Sequence, residues 1–148
     1  MVDFLIVGQG IAGSVLALQL LKHNQRILVI NNKKHNIASS VAAGVYNPIT
    51  GRSMVKTWLA EALFPYLTTF YQEASQTLGT QFLYPMSIFR PFLTHQEHTQ
   101  WLHKAKQANY SHFVESVVEK TLYQQTVVPP YGGIVLNQSG YLDVKRFL

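Results

Sequence analysis

With 148 residues, 47% of them hydrophobic, and a formal charge of +5 at pH 7, the chain is long enough to bury one sizeable core. It has no cysteine, which excludes disulfides, thiolate metal sites and a cysteine nucleophile, and which suits a reducing cytoplasm. Its Lys and Arg residues are scattered, with no dense basic run and no nucleic-acid motif, so a solvated surface is the main reading of the charge and nucleic-acid binding the minor one.

The first element is an apolar strand, Phe4–Val7, that runs directly into Gly8-Gln9-Gly10-Ile11-Ala12-Gly13 and then into a helical pattern. This is the opening of a dinucleotide-binding βαβ unit. The first glycine allows a tight turn, the second lets the backbone approach a pyrophosphate, and the third lets the helix pack closely on the strand. The helix N-terminus adds unpaired N–H groups and partial positive charge. Glycines also occur in βα turns that bind nothing, so it is the complete order of strand, loop, helix and strand that favours binding. Residues 14–21 are apolar with Ala17 and Leu20 one turn apart, Asn24 offers a C-cap, and Ile27–Ile30 reads as a buried parallel strand. The glycine punctuation and Asp3 also exclude a signal peptide here, and no stretch reaches the length of a spanning helix.

At the end of the second strand, where the fingerprint places an acidic residue for the ribose hydroxyls, stand Asn31 and Asn32. An Asn carbonyl still accepts a hydroxyl but gives up the charge-assisted bond. Lys33 and Lys34 follow, which keeps a 2′-phosphate and NADP open beside the plainer reading of a solvated turn. Residues 38–52 are small, polar and glycine-punctuated; they are expected to be a loop with little packing role, at the strand end where ligands sit in open α/β sheets.

From Ser53, an expected N-cap, to Leu78 the pattern is helical, with Pro65 expected to kink or divide it and Gly79 to stop it. Residues 82–84 and 87–92 alternate like short strands separated by Pro85. Thr94 is expected to cap a helix running to about residue 108, with Trp101, Leu102 and Ala105 as its apolar stripe. Residues 122–128 read as a strand, Pro129-Pro130-Tyr131-Gly132-Gly133 as a turn and residues 134–136 as another strand. Asp143 looks like the N-cap of a helix that has barely begun at Leu148, too short to be stable alone. A Rossmann-type sheet also needs more parallel strands than these, so the chain is expected to be the first part of a larger protein.

Three blocks, DFLIVGQGIAGSVLALQLL, SSVAAGVYNPITGRSMVKTW and GGIVLNQSGYLDVKRFL, together resemble the N-terminal part of the D-amino-acid-oxidase-like (DAO) family of FAD-dependent oxidoreductases. The second block, with Ala42-Ala43-Gly44 and Asn47-Pro48, moves the reading from generic dinucleotide binding to flavin. The resemblance implies an α/β fold: an incomplete Rossmann-like FAD-binding domain over residues 1–82, the start of a mixed α+β substrate domain over 83–138, and a segment returning to the FAD domain over 139–148. It further implies that Gly8, Gln9, Gly10, Ile11, Ala12 and Gly13 cradle the FAD pyrophosphate and that Asn31 and Asn32 face the ribose. Ser39, Ser40, Ala42, Ala43, Gly44 and Asn47 would then approach the phosphate and the isoalloxazine ring. The implied substrate is a small amine or amino acid that loses hydride from a C–N bond to flavin N5, and the implied partner is a missing C-terminal portion or second chain.

No catalytic residue is named, because that step has no compulsory side-chain acid or base. Arg52 near the flavin or a phosphate, and Arg90 with a substrate carboxylate, are candidates whose plainer reading is a surface or structural arginine. His95, His98 and His103 with Glu97 lack the H-E-x-x-H arrangement and read as a polar helix surface, so no metal is expected. The competing functions are a non-catalytic dinucleotide-binding or assembly module and an NADP-linked reductase.

Overall fold

Two short apolar strands, β1 (Phe4–Val7) and β2 (Ile27–Ile30), pair in parallel from Phe4↔Ile27 to Val7↔Ile30, with helix α1 (Ile11–Lys22) as the crossover. They are seen in a computed structural model that describes residues 1–32, 38–51, 53–118 and 131–148. The Arg26 guanidinium grips both carboxylate oxygens of Asp3 at 2.8 and 2.9 Å, and the Arg26 N–H adds a third bond at 3.0 Å. This clip joins the starts of the two strands and holds the Asp3 carboxyl below its ordinary range, chiefly through the Arg26 side chain. Asn24 takes the left-handed conformation that ends α1 (φ 56°), as the sequence predicts. A short helix, α2 (Ala38–Val41), follows. These elements belong to one compact unit formed by residues 1–44, 70–83 and 142–148.

Residues 45–69 and 84–141 form a second unit. It opens with β3 (Val45–Tyr46) and an antiparallel hairpin of β4 (Ile49–Thr50) and β5 (Val55–Lys56). The expected loop over 38–52 therefore contains short regular elements and has a packing role: Ile49 is 1% exposed and belongs to the core. Ser53 lies in the hairpin turn and caps nothing; α3 (Ala60–Leu78) starts seven residues later. The helix also runs through Pro65. That residue is the sixth of the helix, within its first two turns, and is exposed. Gly79 stops the helix at φ 63°.

Next come β6 (Leu83–Pro85), β7 (Ile88–Pro91), α4 (His95–Lys104), α5 (Ala108–Ser111), β8 (Val114–Val118), β9 (Gly133–Leu136), β10 (Gly140–Leu142) and α6 (Val144–Phe147). Thr94 caps α4 by accepting the Glu97 N–H at 3.1 Å, and the Glu97 carboxylate accepts the Leu93 N–H in return. The expected single helix to residue 108 breaks after Lys104. α5 then places Tyr110 edge-on to Trp101, and the Lys104 ammonium lies 4.9 and 4.7 Å from the two rings. Leu102, expected in the apolar stripe, is exposed, while Trp101 is buried.

One antiparallel sheet has the order β7-β9-β8, with every residue of the central β9 buried; another has the order β3-β10-β6. β8 was not expected. The expected strand at 122–128 and Pro129-Pro130 lie outside the described residues. Phe64, Phe92, Trp101, Phe113, Ile134 and Leu136 form most of the second unit's core.

In the first unit the end of α3 and α6 meet through Phe70, Tyr71, Phe82 and Phe147, whose rings pack edge-on with centroids 5.0 to 6.0 Å apart. Burial pushes the Tyr71 hydroxyl up to about 12. Asp143 caps α6 by accepting the Arg146 N–H at 3.1 Å. No described helix is long and apolar enough to cross a membrane.

Candidate functional site

The glycine loop lies between the end of β1 and the start of α1. Gly8 has φ 98°, a conformation that side chains avoid, and its N–H donates to Ile30 O at 2.8 Å. Gly13 must lack a side chain, because a Cβ there would lie 2.0 Å from Gly8 O. The helix therefore seats against the loop at the distance of a glycine contact. Gly10 is the N-cap residue, with extended backbone, and its carbonyl accepts the first helical bond from Ser14.

The loop's donors divide into two groups. Gln9 N–H donates to Asn31 Oδ1 at 3.2 Å, and Ile11 N–H donates to Ser39 Oγ at 3.1 Å. Asn31, from the end of β2, and Ser39, from α2, thereby hold the loop from outside its own sequence. The N–H groups of Gly10, Ala12 and Gly13 have no acceptor among the described residues. Such donors, gathered at the positive end of α1, are what a phosphate or pyrophosphate requires. In the sequence, no Asp or Glu occurs between Phe4 and Ala60. These donors thus fit an anionic dinucleotide. A cavity of about 520 Å³ lies beside Leu18, Phe70 and Glu73, and one of about 580 Å³ beside Tyr46, Phe64 and Asn137.

The structure therefore brings Gly8, Gln9, Gly10, Ile11, Ala12 and Gly13 together with Asn31 and Ser39. Asn32, the second residue after β2, is exposed, and Ser40 lies in α2 beside Ser39. Ala42 and Ala43 are solvent-exposed. Gly44 packs against the end of β10, accepting the Leu142 N–H at 2.9 Å. Asn47 belongs to the second unit, where its Oδ1 is buried without a hydrogen-bond partner among the described residues and the neighbouring Tyr46 hydroxyl is raised by burial.

Ser14, absent from the expected set, has a buried hydroxyl in the first turn of α1 with no partner among the described residues; its sequence signal was a polar residue directly after the third glycine. Lys33, Lys34 and Arg52 lie outside the described residues. Arg90 takes the structural role: its Nη1 donates to Gly51 O at 2.6 Å, tying β7 to the β4–β5 turn. His95 and His98 share a face of α4 with ring centroids 6.1 Å apart, and no group of three potential ligands is placed to hold a metal among the described residues.

Comparison with known families matches residues 3–148 to the family described as FAD dependent oxidoreductase (DAO). No solved structure matches the chain.

Proposed function

The chain belongs to the DAO family of FAD dependent oxidoreductases, and from that premise we propose that it holds FAD on the Gly8–Gly13 loop and acts in oxidising the C–N bond of a small amine or amino acid. The observation that carries this reading is the set of acceptor-free N–H groups on Gly10, Ala12 and Gly13 at the start of α1.

In this reading the loop binds the pyrophosphate with its backbone, while Asn31 and Ser39 keep the loop in shape through Gln9 and Ile11. Asn32 lies toward the adenosine ribose. Ser40, Ala42, Ala43 and Gly44 continue the site toward the phosphate and the flavin ring. Residues 1–82 act as the nucleotide-binding part, 83–138 begin the substrate domain, and 139–148 return toward the nucleotide-binding part. When bound, FAD supplies the hydride acceptor for the C–N bond. The chain's own contribution is binding and orientation, with no side-chain acid or base required.

The test is anaerobic mixing of the FAD-loaded chain with secondary amines, amino acids and the matching 2-hydroxy acids while the visible flavin band is followed. Bleaching by an amine or amino acid and not by its hydroxy counterpart is expected. Bleaching by the hydroxy acids alone, or none by any amine with FAD demonstrably bound, would contradict the C–N assignment.

A further inference from the structure

Asn31 directly follows β2, the position at which a dinucleotide fingerprint places the side chain that meets the adenosine ribose. Its amide orientation is determined by its partner. The Gln9 N–H is a donor 3.2 Å away, so the oxygen of the amide must face it. The Nδ2 group is then the free end of the side chain, and it has no acceptor among the described residues.

An Asp or Glu at this position would offer only acceptors and a negative charge. It would take a 2′-hydroxyl through a charge-assisted bond and repel a 2′-phosphate. An amide donor does neither: it can bond the oxygen of a hydroxyl or of a phosphate, and it carries no charge. Nor does a neighbouring acidic residue in sequence restore the discrimination, since none occurs between Phe4 and Ala60. Resting on the dinucleotide reading above, we propose that Asn31 is a specificity-determining residue and that the adenosine end of this site accepts a ribose carrying a 2′-phosphate as readily as one with a free 2′-hydroxyl. Asn31 thus has two roles: its oxygen positions the glycine loop, and its NH₂ group faces the ribose.

The test uses ADP-ribose and 2′-phospho-ADP-ribose, which share the adenosine and pyrophosphate and differ only at the 2′ oxygen. Both are titrated calorimetrically, at one ionic strength, into the chain and into Asn31→Asp. The substitution is isosteric and keeps the oxygen that the Gln9 N–H needs. The natural chain is expected to bind the 2′-phosphorylated probe no more than about threefold more weakly than ADP-ribose, while Asn31→Asp keeps ADP-ribose and weakens the phosphorylated probe at least about tenfold. Strong rejection of the 2′-phosphate by the natural chain, with ADP-ribose bound, would overturn this proposal and leave the dinucleotide reading standing. Equal discrimination by the natural chain and Asn31→Asp would overturn the role of Asn31. Failure of the natural chain to bind either probe would overturn the dinucleotide reading and this proposal with it.

Discussion

The two sheets at the centre of each unit are built from equally apolar sequence but are covered differently. In the second unit β9 is buried at all four residues. In the first unit β1 buries Ile6 alone, and Leu5 and Val7 are 60% and 79% exposed. Leu28 and Ile30 on β2 are half exposed as well. Parallel strands ordinarily need cover on both faces, and among the described residues α1 packs on the face that carries Ile6 while Leu5, Val7, Leu28 and Ile30 stay exposed. The second unit thus owes its stability to a closed core, whereas the first leaves much of its strand pair exposed and holds its glycine loop through a few specific bonds.

Substitutions should separate the two. Phe113→Ala, at a fully buried position of the second unit, is expected to cost about 3–5 kcal/mol, whereas Val7→Ala in the apolar strand of the first should stay within about 0.5 kcal/mol. Urea unfolding of both variants checks this, and equal losses would show that the exposed sheet is not the soft part. Gly13→Ala comes next: its Cβ would collide with Gly8 O, so a loss of about 1–3 kcal/mol should accompany a displaced loop and weakened FAD binding. A variant with unchanged stability and affinity would remove the close helix–loop contact from the account of the site.

The smallest effect shows only at alkaline pH. Tyr71 ionises near 12 in the folded chain and near 10 when unfolded, so its contribution is complete below pH 10 and is lost as the pH rises from 10 toward 12. Tyr71→Phe should flatten that part of the stability profile. Identical alkaline profiles for the two proteins would show that Tyr71 is not held neutral by its aromatic surroundings.

What was legible in the sequence follows the range of the interactions. The glycine loop, the Thr94 and Asp143 caps and the Gly79 stop are local devices, and each stands where its residues indicate. The hairpin over residues 49–56 escaped because its strands are two residues long and its turn is tied down by Arg90, 39 residues away. The break between α4 and α5 depends on Lys104 meeting Trp101 and Tyr110, which no periodicity encodes. Within the candidate site, the fingerprint picked out Gly8 to Gly13 and Asn31, and the family resemblance added Ser39. It did not reveal that Asn31 and Ser39 support the loop across 22 and 28 residues. It also left Ser14 as one more helical residue, because only folding shows its hydroxyl to be buried and unpartnered.

The most direct measurement is an FAD titration of the purified chain, followed by visible absorbance and calorimetry, with Gly10→Val as the companion. Saturable binding of one FAD by the natural chain is expected. Its loss is expected in the variant, whose added side chain would fill the space beside the Ser39 hydroxyl, where even a Cβ lies at 3.1 Å. A natural chain that ignores FAD, or a Gly10→Val variant that binds it unchanged, would contradict the assignment of the glycine loop as the cofactor cradle.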